Sequence, residues 1–155
     1  MIHKNIRKLL IISLGSMGNK YLEIAREYWP NIELGVVTSS SSKERNFNGI
    51  KVFNYIEKAI NWGPSAALIA SPANEHVSQA IYLSEAGIPI LIEKPLGIGL
   101  ESKEQLEKLI NLAKSNVICL GYVLRQSPCA KFMKKMLDQN RIGKLIEADF
   151  YCSSW

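Results

Sequence analysis

The sequence predicts a doubly wound α/β domain, a parallel sheet of about six strands with helices on both faces. Short apolar runs alternate six times with segments of helical spacing. The runs are continuously apolar, as strands covered on both faces must be, where a half-exposed strand would alternate. Glycine, proline and serine punctuate the junctions, with no internal repeat and no low-complexity stretch. Parallel neighbours need crossover connections, and these are right-handed, so this order of elements puts helices on both sides of the sheet.

The first run, Leu9 to Leu14, ends at Gly15 and predicts a buried strand. Met17 to Tyr28 follows as a helix with Leu22 and Ala25 on one side, stopped by Pro30. Ile32 to Val37 is the second strand, and the polar stretch from Thr38 to Gly49 is a loop. Lys51 to Phe53 supplies a short third strand and Tyr55 to Trp62 a helix. Ala66 to Ala70, between Gly63-Pro64 and Ser71-Pro72, is the fourth strand. Asn74 is expected to cap a helix running to about Ala86, with His76 in its first turn and Gly87 past its end. Ile88 to Ile92 gives the fifth strand. Glu101 to Ser115 carries Leu106, Leu109, Ile110 and Ala113 at helical spacing, and Val117 to Tyr122 is the sixth strand.

The tail changes pattern. Ala130 to Asp138 reads as a helix, after which Ile146, Ala148, Phe150 and Cys152 alternate with Leu145, Glu147, Asp149 and Tyr151. Such alternation predicts a half-exposed strand of an antiparallel sheet. A lone strand has no sheet to join, so the chain reads as the front of a longer protein; pairing with the edge of the first domain is the alternative.

With 47% hydrophobic and 21% charged residues, the 155-residue chain has an ordinary folded composition, which sets aside disorder, collagen and disulfide scaffolds. Its apolar runs fall far short of the roughly 18 residues a membrane span needs, and the basic N-terminus lacks a small-residue cleavage site. A cytoplasmic protein with no membrane partner is expected. Cys119, Cys129 and Cys152 share no C-x-x-C spacing and read as buried small hydrophobes. Nineteen basic against 14 acidic residues leave a charge of +5. Lys131, Lys134 and Lys135, at helical spacing without interleaved aromatics, describe a solvated helix face, so no nucleic-acid partner is expected.

The stretch LLIISLGSMGNKYLEIA, Leu9 to Ala25, places Ser13, Gly15 and Gly18 where a dinucleotide-binding turn carries the glycines of G-x-G-x-x-G. Gly15 lets the backbone approach a pyrophosphate, and Gly18 lets the helix pack close to the strand. The helix N-terminus, with Ser16 and Met17 in its first turn, supplies free N–H groups and partial positive charge. Ser13 departs from the pattern, but serine is small and its hydroxyl is able to meet a phosphate, provided the local φ is negative. An acid about 20 residues on would hold the adenosine ribose diol. Thr38 stands there instead, followed by Ser39 to Ser42, Lys43 and Arg45. Hydroxyls with nearby cations suit a 2′-phosphate, so Thr38, Ser39, Ser40 and Lys43 favour NADP over NAD; a solvated loop is the alternative reading.

Further along come SPANEH, Ser71 to His76, and ILIEKPLGIGLES, Ile90 to Ser102. Glu93-Lys94-Pro95 closes a parallel strand on the edge where open α/β sheets bind ligands. Together with the turn at Ser13 to Gly18 and with GYVLRQSP, Gly121 to Pro128, these segments resemble the glucose-fructose oxidoreductase, inositol 2-dehydrogenase and rhizopine-catabolism (Gfo/Idh/MocA) oxidoreductase family, over essentially the whole chain. The resemblance implies an N-terminal Rossmann domain, here residues 1–123, followed by a second α/β domain for substrate binding and oligomerisation. Residues 124–155 would be its junction helix and first strand. It also implies hydride transfer between NAD or NADP and a sugar, polyol or related carbonyl or hydroxyl substrate, with no metal.

By the same resemblance Lys94 is the catalytic lysine, bonding the reacting oxygen and the nicotinamide ribose. A cationic amine there stabilises an alkoxide as hydride leaves carbon, and partial burial would bring it towards proton-transfer range. Ser71, Pro72 and His76 would lie beside the adenosine and pyrophosphate, Glu93 near the nicotinamide ribose, and Arg125 near the nicotinamide or substrate. Ser13, Thr38 and Val123 depart from the family pattern. The family's acid–base aspartate or histidine comes from the second domain, so this chain alone is expected to bind dinucleotide without turning substrate over. The full-length protein is expected to be a homo-oligomer, and the chain by itself a monomer or a dimer made through its tail. The competing reading is a non-catalytic nucleotide-binding or sensing module. Glu93-Lys94-Pro95 discriminates, because a sensor has no need of a lysine at the hydride-transfer end.

Overall fold

Leu10 and Ile12 point to one face of the sheet and Ile11 to the other, and all three are almost wholly buried. That two-sided burial is why the strand holding them, β1 (Lys8–Ile12), lies at the centre of a six-stranded sheet. The structure is a computed structural model that describes residues 6–38 and 49–151. Around β1 the chain forms α1 (Ser16–Tyr28), β2 (Glu33–Val37), β3 (Ile50–Phe53), α2 (Ile56–Asn61), β4 (Ala66–Ile69), α3 (Ala73–Glu85), β5 (Ile90–Ile92), α4 (Lys103–Leu112) and β6 (Ile118–Leu120). The strands pair in the order β3-β2-β1-β4-β5-β6, and every pairing is parallel. The doubly wound prediction therefore holds.

The core forms on both sides. On one face Leu22 and Ala25 of α1 pack with Ile11, Leu34 and Val36. On the other, Ala59 of α2, Val77, Ala80 and Leu83 of α3 and Leu109 of α4 pack with Leu10, Ile12, Ile69 and Ile92. Gly35 of β2 admits the indole of Trp62, whose Cζ3 would stand 2.6 Å from any Cβ at that position.

Helix ends follow local chemistry. Ser102 caps α4 in a reciprocal box with Gln105, and Gly87 ends α3 at a φ of 71°. The start of α3 differs from expectation. Pro72, not Asn74, is the N-cap: its carbonyl already accepts from the Glu75 N–H at 2.9 Å, which leaves Asn74 inside the first turn.

The chain divides into two compact units, Met1–Gly121 and Tyr122–Trp155. The second holds a 3₁₀ turn (Val123–Gln126) and α5 (Pro128–Asp138), neither with a buried residue. The tail expected as a strand is irregular as far as residue 151, with Ile146 94% and Phe150 84% exposed. A strand needs a neighbour to satisfy its backbone, and this unit offers none among its described residues. The cysteines also correct the sequence reading. Cys119, on the short edge strand β6, and Cys129, in the first turn of α5, are exposed, while Cys152 lies outside the described residues. Among the described residues no helix is long and apolar enough to cross a membrane.

Candidate functional site

The parallel register sets the carboxyl ends of all six strands in one row: Phe53, Val37, Ile12, Ile69, Ile92 and Leu120. Hydrogen bonds carry the row one residue further. Thr38 N–H donates to the Phe53 carbonyl at 3.1 Å, Ser13 to Val37 at 2.8 Å, Ala70 to Ile12 at 3.0 Å, Glu93 to Ile69 at 2.9 Å and Gly121 to Ile92 at 2.8 Å. The turns that leave this row therefore share one edge. Strand order reverses between β1 and β4, the switch point beside which open α/β sheets hold ligands.

The turn after β1 is shaped by missing side chains. Ser13 has a φ of 72°, a left-handed conformation that costs a non-glycine residue about 1–2 kcal/mol. The condition under which its hydroxyl was expected to serve a phosphate, a negative φ, is not met, because the chain must reverse here while the Ser13 N–H still bonds Val37. The Ser13 carbonyl lies where a side chain on Gly18 would have to go, so Gly18 is sterically required. Gly15 is different: a Cβ there would meet nothing within 4 Å. Gly15 is also the N-cap of α1, which has no side-chain cap and no acidic residue in its first turn. Ser16 and Met17 are exposed there. From behind, the Asn19 amide donates to the Leu14 and Gly15 carbonyls at 3.0 and 2.9 Å and fixes the turn. An uncapped helix N-terminus with open space over its glycine suits an anionic group laid against the backbone. Thr38, the residue after β2, is half-buried, and Ser39, Ser40 and Lys43 lie outside the described residues.

The turns after β4 and β5 are shaped by side chains. Ser71 gives its hydroxyl to Gln79 Oε1 at 2.6 Å. His76 is 2% exposed, with Nε2 2.8 Å from the Ser71 carbonyl and Nδ1 2.8 Å from that of Pro95. Both ring nitrogens thus face protein, and the imidazole ties the two turns together. Pro72 is exposed beside it. Glu93 is buried; its Oε1 accepts from the Tyr21 hydroxyl and its Oε2 from the Lys94 N–H at 3.2 Å. Burial first, and then the Glu93 carboxylate, push the Tyr21 phenol up to about 12. Lys94, joined to Pro95 by a cis peptide, is exposed, so the partial burial expected of it is not found in this chain. Beyond it, Glu101 accepts from the Ile98 and Gly99 N–H groups at 2.8 Å each, and these backbone bonds hold its carboxyl below the usual range.

Arg125 lies in the 3₁₀ turn of the second unit, exposed, with its guanidinium 5.5 Å from the Tyr122 ring. The sequence reading missed Asn19, Tyr21 and Glu101. Asn19 and Glu101 were within local reach, as polar residues flanking glycine turns; Tyr21 was not, because its partner is 72 residues away. No cluster of His, Cys, Asp and Glu suited to a metal ion occurs among the described residues.

Comparison with known proteins agrees with this geometry. The profile described as "Oxidoreductase family, NAD-binding Rossmann fold" matches residues 7–122. The rhizopine catabolism protein MocA of Rhizobium meliloti is 29% identical over 96% of this chain and 47% of its own length. An inositol 2-dehydrogenase of Corynebacterium glutamicum is 25% identical over 88% of this chain and 42% of its own. The chain thus spans less than half the length of these relatives. The solved scyllo-inositol dehydrogenase of Lactobacillus casei, with NAD(H) and scyllo-inositol bound, superposes with a TM-score of 0.75 at 23% identity, covering 90% of this chain and 43% of that one. At that identity the likeness concerns the fold.

Proposed function

The chain belongs to the oxidoreductase family with an NAD-binding Rossmann fold, and from that premise we propose that it is the part of a dehydrogenase that binds NAD(P) and presents Lys94 to a sugar or cyclic polyol. One observation carries the reading: Lys94 stands exposed at the carboxyl edge of β5, next to the switch point, on a backbone held from both sides. A bound nicotinamide supplies the hydride chemistry. This chain's residues do the rest of the work assigned to it. The N-terminus of α1, at Gly15, Ser16 and Met17, receives the pyrophosphate. Ser71 and Pro72 border the adenosine side, and His76 holds their turn against Pro95. The Lys94 ammonium donates to the substrate oxygen and stabilises negative charge as it develops.

Relatives named for inositols support a cyclic polyol as the substrate class. Thr38, in the place of a ribose-binding acid, supports NADP over NAD. Residues 124–155 are read as the start of a second domain for substrate binding and oligomerisation, and Arg125 as its candidate residue for nicotinamide or substrate. The left-handed Ser13 favours a second reading, a sensing module that binds dinucleotide without chemistry. The test is Lys94→Ala in the whole protein. Loss of turnover with unchanged dinucleotide affinity is expected, and unchanged turnover would favour the sensor. Quenching of the chain's tryptophans on titration with NADPH and NADH decides the cofactor.

A further inference from the structure

A lysine that works on a ligand must keep its side chain free, so its placement depends on its backbone. At Lys94 two side chains fix that backbone, one from α3 and one from the residue just before it. His76 of α3 bonds the carbonyl of Pro95 on one side, and the Glu93 carboxylate accepts the Lys94 N–H on the other. Pro95 has no N–H, so that of Lys94 is the only backbone donor of the pair. At 3.2 Å the Glu93 contact is long, and its geometry depends on where the carboxylate is held.

Glu93 is 7% exposed, and a carboxylate so far out of water needs strong donors. The Tyr21 hydroxyl bonds its Oε1. Gly121, at the end of β6, borders the other side: a Cβ there would stand 3.3 Å from the same oxygen and 3.2 Å from the Ile92 carbonyl. Gly121 leaves the carboxylate the space that a side chain would take, so the Tyr21 hydroxyl is what fixes its first oxygen while its second accepts from the Lys94 N–H. Tyr21 follows Gly18 by less than one turn of α1, the helix whose N-terminus forms the glycine turn.

We propose that Tyr21 is a positioning residue for Lys94, acting through Glu93, so that one helix both forms the dinucleotide turn and sets the lysine's backbone. The proposal rests on Lys94 facing the reacting oxygen, as assigned above. Its test separates the two claims. In the chain, amide hydrogen exchange is followed by NMR in wild type, Tyr21→Phe and Glu93→Gln. Tyr21→Phe keeps the ring and removes the donor. Glu93→Gln leaves one acceptor oxygen for two donors. Each is expected to speed exchange of the Lys94 amide about tenfold, the scale of one hydrogen bond, while the amides of β1 and β4 keep their protection. A double variant no faster than either single one would show that the two residues act through one contact.

In the whole protein, Tyr21→Phe is expected to lower kcat about tenfold with dinucleotide affinity unchanged and with any fall in thermal midpoint no larger than the loss of one hydrogen bond; a merely structural role would speed exchange of every core amide together. Unchanged Lys94 exchange in both single variants would overturn the proposal whatever the enzyme does. Wild-type protein without turnover would overturn the dehydrogenase reading instead, leaving the exchange data to decide the role of Tyr21.

Discussion

Two turns on the same edge of the sheet are built by opposite means. The turn after β1 works by subtraction: Gly15 leaves open space over a helix N-terminus, and Gly18 leaves room for the Ser13 carbonyl. The turn after β5 works by addition: Tyr21, Glu93 and His76, from α1, the strand end and α3, converge on the backbone around Lys94. A turn that offers backbone N–H groups to an anion must keep side chains away. One that presents a single side chain must borrow others to hold still.

The largest effect is expected where subtraction is undone. Gly18→Ala places a Cβ against the Ser13 carbonyl and should cost about 3 kcal/mol in urea denaturation, since backbone must shift to relieve it. A near-neutral result would mean that the turn is softer than the structure implies. Next comes loss of addition. His76→Ala removes the ring that stands between the Ser71 and Pro95 carbonyls, takes a donor from one of them and opens a small cavity, for an expected cost of about 2 kcal/mol by the same measurement. If it matched wild type, the two turns would not depend on the ring.

A smaller change of opposite sign is expected at Ser13. Glycine takes a φ of 72° without penalty, so Ser13→Gly should stabilise the chain by about 1 kcal/mol, less what the more flexible unfolded state gains. A destabilised variant would show that the serine hydroxyl contributes more than its backbone costs.

The smallest effect is in the pH profile. The Tyr21 phenol, raised from 10 to about 12, binds its proton more tightly folded than unfolded. Its contribution is fully present below about pH 10 and is lost as the pH climbs towards 12. Tyr21→Phe should flatten that alkaline limb of a thermal-midpoint scan. On the acid side Glu101 has the opposite sign. Its carboxyl is lowered, chiefly by the Ile98 N–H, so its contribution is present above its ordinary range and lost as the pH falls below it. Glu101→Gln should reduce the acid slope without touching the alkaline one.

The same contrast explains what could be read beforehand. Strand positions, helix positions and the glycine turn each lie within a few consecutive residues, where periodicity and local steric rules speak directly. Residues Ser13 to Gly18 even announce their defect, though only the fold shows that Ser13 takes a positive φ. The tethers join residues 72 and 19 positions apart, and nothing local to Tyr21 marks its partner. Ligand contact for Glu93 and His76 is what the family resemblance implies; their commitment to other protein groups, set by residues 72 and 19 positions away, has no local mark. The tail failed for a related reason. Alternation at Leu145 to Cys152 describes which sides would differ, but a strand exists only beside another strand, and no pattern within eight residues can supply one. Asn74 lost the cap to Pro72 because propensity ranks side chains, whereas the geometry of entry into α3 was already set by the proline.

The two exposed thiols offer something practical. Cys119 sits in the first unit and Cys129 in the second, so after Cys152→Ser each unit carries one reactive attachment point. A donor dye on one and an acceptor on the other would turn the protein into its own ruler. Energy transfer between them, read with and without dinucleotide, would report how ligand arrival at the sheet edge is felt by the unit that follows it, with no further change to the sequence.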